Sequence, residues 1–89
     1  VYSVGGGIVS FVGSKGGYGN VVEIDHGNGL MSRYAHLDQT LVDAGKVIQK
    51  SDRLALLGNT GRSTGPHLHL EILQNGVAID PQTYLGLAN

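Results

Sequence analysis

The sequence predicts an all-β fold of short strands joined by tight turns, and three observations carry that prediction. Glycine occurs 15 times in 89 residues, about twice the usual share and without a collagen-like period. Between the glycines, Val, Ile, Leu, Tyr and Thr dominate, the residue types that suit a pleated, half-buried surface. No stretch sustains a 3.6-residue apolar period for the length of a helix. At this length the chain is one domain, or part of one, with room for a single modest core.

Taken in order, Val1–Val4 and Ile8–Val12 read as two short strands around Gly5-Gly6-Gly7. Gly13–Gly19 (GSKGGYG) reads as a loop, and Asn20–Asp25 as a third strand with Val22 and Ile24 on one face. His26-Gly27-Asn28-Gly29 supplies a hairpin turn, for which Asn-Gly is the strongest short signal. On the return strand Leu30–Leu37, alternation places Leu30, Ser32, Tyr34 and His36 on one face and Met31, Arg33, Ala35 and Leu37 on the other. Residues 44–58 read as two short strands with turns at Gly45 and Ser51-Asp52, and Val42, Val47 and Leu54 recur as in a tightly coiled sheet. Gln74-Asn75-Gly76 is a second hairpin turn, followed by an edge strand Val77–Ile79 that Asp80-Pro81 ends. Pro81–Leu87 is expected to form one helical turn capped by Asp80. Val1–Val4 begins as a strand already under way, which reads as a chain cut or processed upstream.

Composition narrows the function. A net charge of −1, with six scattered Lys and Arg residues, leaves no basic patch for nucleic acid or an anionic membrane. No segment reaches the roughly 18 apolar residues of a membrane-spanning helix. The absence of cysteine excludes disulfides and thiolate metal sites.

The chemistry on offer lies in Gly58–Ile72 (GNTGRSTGPHLHLEI). A loop rich in Gly, Ser and Thr ends at Pro66, and strict alternation follows. His67, His69 and Glu71 share one face, with Leu68, Leu70 and Ile72 on the other. Two imidazoles two residues apart on a strand are roughly 6.5 Å apart along it, within reach of one metal ion and its water. The competing reading is two solvated side chains on an outer face. Glu71 either orients a ligating imidazole or is a solvated carboxylate. The loop lacks the Gly-Lys-Ser/Thr ending of a phosphate cradle. It suits an extended substrate instead, with Asn59, Thr60, Ser63 and Thr64, together with Tyr34, as candidate groove residues. His26, at the entrance to a turn, reads as a surface residue, whereas His36 near a strand end is a functional candidate. A catalytic zinc takes three protein ligands and keeps a position open for water; without Cys, any further ligands must be His or carboxylate.

The run TGRSTGPHLHLEI, preceded by GYGNVVEIDHGNGL and RYAHL and followed by NG-x-x-x-DP-x-x-YL, resembles the lysostaphin-type (LytM-domain) zinc metallopeptidases. The resemblance covers nearly the whole chain in the same order. It implies a compact antiparallel, barrel-like β-structure with zinc at the floor of a groove. It also implies cleavage of peptide cross-links in bacterial peptidoglycan, and hence a periplasmic or extracellular location in the cell envelope. By resemblance His69 is a zinc ligand, and His67 and His36 are catalytic histidines acting on the water and the developing oxyanion. The family's other two ligands belong to a His-x-x-x-Asp motif upstream of the segment resembling Val1–Val4. These 89 residues therefore represent an N-terminally truncated, partial domain with one family zinc ligand of three, whose partner is the missing N-terminal part of the same protein. The chain alone is expected to bind zinc weakly and to be inactive. Two other readings compete. One is a metal-free member that binds peptidoglycan or activates an amidase, against which the His36, His67 and His69 trio argues. The other is a lipoyl- or biotin-carrier segment, suggested by VDAGKVIQKSDRLALLG, but Lys46 and Lys50 lack the flanking pattern.

Overall fold

The computed structural model describes residues 1–57 and 69–81, and its architecture grows from two Asn-Gly turns. Asn28 and Gly29 both adopt left-handed backbone, with φ of 55° and 80°, the geometry that lets two strands reverse while keeping their twist. They join β2 (Gly19–Gly27) to β3 (Leu30–Thr40). Asn75 and Gly76 (φ 53° and 82°) join β6 (His69–Gln74) to β7 (Val77–Ile79) in the same way. The two tips dock: the Asn75 N–H donates to the Gly29 carbonyl at 2.8 Å, and a Cβ on Gly29 would strike the Asn75 side chain.

The other strands are β1 (Gly7–Lys15), β4 (Val47–Ile48) and β5 (Ala55–Leu57). All pair antiparallel in one sheet of order β4-β1-β2-β3-β6-β7, with β5 also on β3. β6 lies opposite Leu30–Ala35 and β5 opposite Leu37–Thr40, so His36 falls between them. The all-β, antiparallel expectation holds. Some boundaries move. Val1–Val4 is no strand; Tyr2 makes a single bridge to Arg53. The expected loop from Gly13 is strand through Lys15, followed by a 3-10 turn at Gly16–Tyr18, because β1 keeps pairing with β2 as far as Lys15↔Gly19. The expected helical turn lies almost wholly outside the described residues.

The core forms on one face of the sheet from Val9, Val22, Ile24, Tyr34, Leu37, Val42, Ile48, Leu54 and Ala55. Val47 is exposed and its neighbour Ile48 is buried, so Ile48 supplies the inward side chain of β4. The N-terminal segment closes over this core. The Ser3 N–H donates to the Asp52 carbonyl at 2.9 Å, the Ser51 N–H to Ser3 at 2.9 Å, and the Leu54 N–H to Val1 at 2.8 Å.

Strict alternation fails on β3. Between the pairs Val22↔Tyr34 and Asn20↔Leu37, β3 carries one residue more than β2, and His36 takes a left-handed φ of 59°. This bulge returns Leu37 to the core face beside Tyr34 and sends His36 to the opposite face. His36 does not share a face with Tyr34, contrary to the alternation of the sequence.

A polar chain anchors the N-terminal segment. His26 Nδ1 is 2.6 Å from the Gly6 carbonyl and Nε2 is 2.7 Å from Ser32 Oγ. The carbonyl can only accept, so Nδ1 carries a proton. Ser32 Oγ lies 2.9 Å from Tyr34 Oη, which accepts the Val4 N–H at 3.0 Å. His26 is thus a structural tie and only half-buried. The substitution Tyr34→Phe leaves the Val4 N–H and one side of Ser32 without their partner. Chemical denaturation is expected to show a loss of about 1–3 kcal/mol, with the sheet's amide signals otherwise unmoved.

Candidate functional site

On the face opposite the core, three charged residues stand directly opposite one another on adjacent strands. Glu23 of β2 pairs in register with Arg33 of β3, and Arg33 with Glu71 of β6. Arg33 spans both carboxylates: Nε donates to Glu23 Oε2 at 2.7 Å and Nη1 to Glu71 Oε1 at 2.7 Å. Lys15 Nζ reaches the same Glu23 oxygen at 3.1 Å. Glu23 is nearly fully buried, with its side chain 7% exposed, and a carboxylate so enclosed is tolerated only with cationic donors around it.

The second oxygen of Glu71 serves the candidate site. Oε2 lies 2.9 Å from His69 Nε2 and accepts from Tyr18 Oη at 3.1 Å. Tyr18, at the end of the 3-10 turn, leans over the same cluster. Its ring centroid is 5.7 Å from that of His69 and 5.3 Å from the Arg33 guanidinium carbon. His69 stands opposite Ala35, whose short side chain leaves room for rings above it. The bulge then brings His36 alongside, with its ring edge-on to His69 at a centroid distance of 5.6 Å. His36 is buried, whereas the His69 side chain is 41% exposed.

Burial alone would raise the Glu71 pKa. Hydrogen bonds from His69, Arg33 and Tyr18 outweigh it and hold the carboxyl below its ordinary value of 4.5. Burial likewise works against the Arg33 charge, but the bonds to Glu23 and Glu71 outweigh it and raise its pKa above the ordinary guanidinium value. Both charges are therefore held across the neutral range. An ionised carboxylate only accepts, so Nε2 of His69 must be its protonated nitrogen. In the neutral ring, Nδ1 is then the one with a lone pair for an acid or a metal. A carboxylate on the remote nitrogen is the usual partner of a metal-ligating histidine. Among the described residues, no group of three or more His, Cys, Asp or Glu is placed to hold an ion. The donor chemistry fits zinc at His69 without completing a ligand set.

The structure thus brings His36, His69 and Glu71 together. Tyr34, expected in a groove, is fully buried in the core, because alternation from Val22 and the pairing with Leu70 turn it inward. His67, Asn59, Thr60, Ser63 and Thr64 lie outside the described residues. Sequence reading missed Arg33, Glu23, Lys15 and Tyr18. Glu23 and Arg33 meet Glu71 only through a register set far along the chain. No helix among the described residues is long and apolar enough to cross a membrane.

Residues 1–81 match the model of Peptidase family M23. The chain is 46% identical over 76 residues to the peptidoglycan DD-endopeptidase ShyA of Vibrio cholerae, covering 85% of this chain and 18% of that protein. It therefore spans less than a fifth of that relative's length. Among solved structures, a zinc containing peptidase from Vibrio cholerae superposes with a TM-score of 0.86 at 42% identity, over 90% of this chain and 25% of that one. The catalytic domain of lysostaphin from Staphylococcus simulans superposes with a TM-score of 0.89 at 28% identity, over 97% of this chain and 69% of that one.

The depressed Glu71 pKa makes stability depend on pH. A group depressed on folding stabilises the fold above its unfolded pKa, and that contribution is lost as pH falls through the folded value. In metal-free buffer, melting temperature is expected to fall on acidification below about pH 4.5. The part of that fall due to Glu71 is expected to vanish in Glu71→Gln; superimposable curves for the two proteins would refute it.

Proposed function

We propose, from the premise that this chain belongs to peptidase family M23, that it is part of the catalytic domain of a zinc metalloendopeptidase. Its substrate on this reading is the peptide cross-link of bacterial peptidoglycan, and its place the cell envelope. The observation that carries the reading is the arrangement of His69: Nε2 is held by Glu71 at 2.9 Å, with the half-exposed ring beside His36. Two imidazoles on one face, one of them fixed by a carboxylate, form half of a hydrolytic metal site. ShyA, a peptidoglycan DD-endopeptidase, supports the substrate class and the reaction, and lysostaphin, an antimicrobial peptidase, supports the reaction.

Bound zinc would supply Lewis-acid polarisation of a carbonyl and a water of lowered pKa. The chain's own residues do the rest. His69 offers Nδ1 as ligand, and Glu71 holds the ring so that this nitrogen faces away from the sheet's charged row. His36, set beside His69 by the bulge, handles a proton or steadies negative charge on the reacting carbonyl. His67 shares that task by its place in the His-x-His motif. Ala35 leaves space above the sheet for these rings. Asn59, Thr60, Ser63 and Thr64, in a segment whose composition is rich in Gly and hydroxyl groups, supply hydrogen-bonding groups for an extended peptide on this reading.

Ligand count sets the level of activity. The 89 residues offer one ligand of the three that the family resemblance implies, and zinc affinity depends on the full set. Calorimetric titration of the 89-residue chain at neutral pH is expected to give zinc binding weaker than about 1 μM; tighter binding by a monomer would overturn the ligand count. In a longer chain that also carries a His-x-x-x-Asp segment, release of peptides from purified sacculi is expected. His36→Ala and His67→Ala should each lower that release by about 10²-fold or more, and His69→Ala should lower zinc affinity as well. Retention on sacculi with no release and no zinc binding would establish the metal-free module instead.

A further inference from the structure

We propose that Arg33, braced by Glu23, is a positioning residue that determines which nitrogen of His69 is left open. The inference rests on the reading of His69 as a metal ligand, but its geometry stands apart from any metal. Glu71 has two oxygens with separate tasks: Oε1 takes Arg33 Nη1 at 2.7 Å, and Oε2 takes His69 Nε2 at 2.9 Å. The Arg33 bond fixes the carboxylate plane, and the plane aims Oε2 at the imidazole. Arg33 in turn cannot swing away, because its Nε is tied to Glu23 Oε2 at 2.7 Å. Glu23 lies in the sheet's interior with a second cation, Lys15, on the same oxygen.

The three residues sit in register on β2, β3 and β6, so the backbone ladder itself sets the spacing of the clamp. A planar fork is needed for this. Two different nitrogens of one guanidinium reach two carboxylates on opposite sides, which the single nitrogen of a lysine does poorly. Without Arg33, Glu71 keeps, among the described residues, only His69 and Tyr18 and is free to rotate. Nε2 then loses its fixed acceptor, and the ring is free to take its other tautomer or to flip.

The test is the tautomer of His69, read in the metal-free 89-residue chain by long-range ¹H–¹⁵N correlation of the imidazoles at a pH where the rings are neutral. The native chain is expected to show His69 protonated at Nε2. Arg33→Met is expected to give a mixture of tautomers, Glu23→Gln a smaller shift the same way, and Arg33→Lys only partial recovery. Lys15→Met, which removes a cation that touches Glu23 but neither Arg33 nor Glu71, should leave His69 as it is. A merely structural role would lower the melting temperature of Arg33→Met while leaving the tautomer unchanged, and that result overturns the proposal. Dispersed amide signals show whether each variant keeps the sheet; should Arg33→Met fail to fold, Arg33→Lys and Glu23→Gln decide, and native tautomers in both would overturn the proposal. Zinc titration followed at the same nuclei separates the two readings. A dissociation constant raised about tenfold or more in Arg33→Met supports the clamp acting on a metal ligand. No zinc response in a native chain that also carries the His-x-x-x-Asp segment counts against the metal reading, while the tautomers still decide the role of Arg33.

Discussion

β3 carries one residue more than β2 between Tyr34 and Leu37, and the left-handed turn of His36 that takes up the extra residue divides core from site. Before the bulge, even-numbered residues face inward; after it, Leu37 does. A regular strand here would bury His36 among aliphatic side chains and expose Leu37. A non-glycine residue with positive φ is uncommon and costs backbone energy. The surrounding pairings over-determine it: β2 on one edge, with β6 and β5 on the other, leave β3 no freedom to iron the bulge out. The strain is thus held by the sheet and delivers an imidazole to the face that carries His69.

The second organising element is the charged row crossing β2, β3 and β6. Lys15, Glu23, Arg33 and Glu71 alternate in sign and balance, so a buried carboxylate and a partly buried guanidinium share their desolvation cost. Such networks stabilise little relative to an apolar equivalent, but they fix geometry. Here the geometry fixed is that of Glu71, and through it His69. The opposite face has its own polar chain, from Gly6 through His26 and Ser32 to Tyr34 and Val4. One tie holds the N-terminal segment over the core, and the other holds the site.

Much of this was legible from residues alone. The two Asn-Gly turns marked both hairpins, and alternation gave the inward Val22, Ile24, Leu70 and Ile72 and the outward His69 and Glu71. What escaped shares a physical cause. A bulge has no sequence signature when the residue adopting positive φ is a histidine rather than glycine, so alternation alone puts His36 on the face of Tyr34. Long-range register is equally silent: nothing in Glu23, Arg33 and Glu71 as separate outward charges announces that β6 settles against β3 with these three in line. The resemblance to a peptidase family pointed to His36 and His69 without saying what orients them.

The strand order also has a temporal meaning. β1, β2 and β3 are joined by short turns and find one another locally, and so do β6 and β7. The pairing of β3 with β6 closes a long loop, and its entropic cost makes it a late event in folding. That pairing is the one that sets His69 beside His36 and Glu71 beside Arg33. A chain that has formed its early hairpins therefore holds all its histidines and no site. The candidate site is thus assembled by a long-range pairing and by no single hairpin of the sheet.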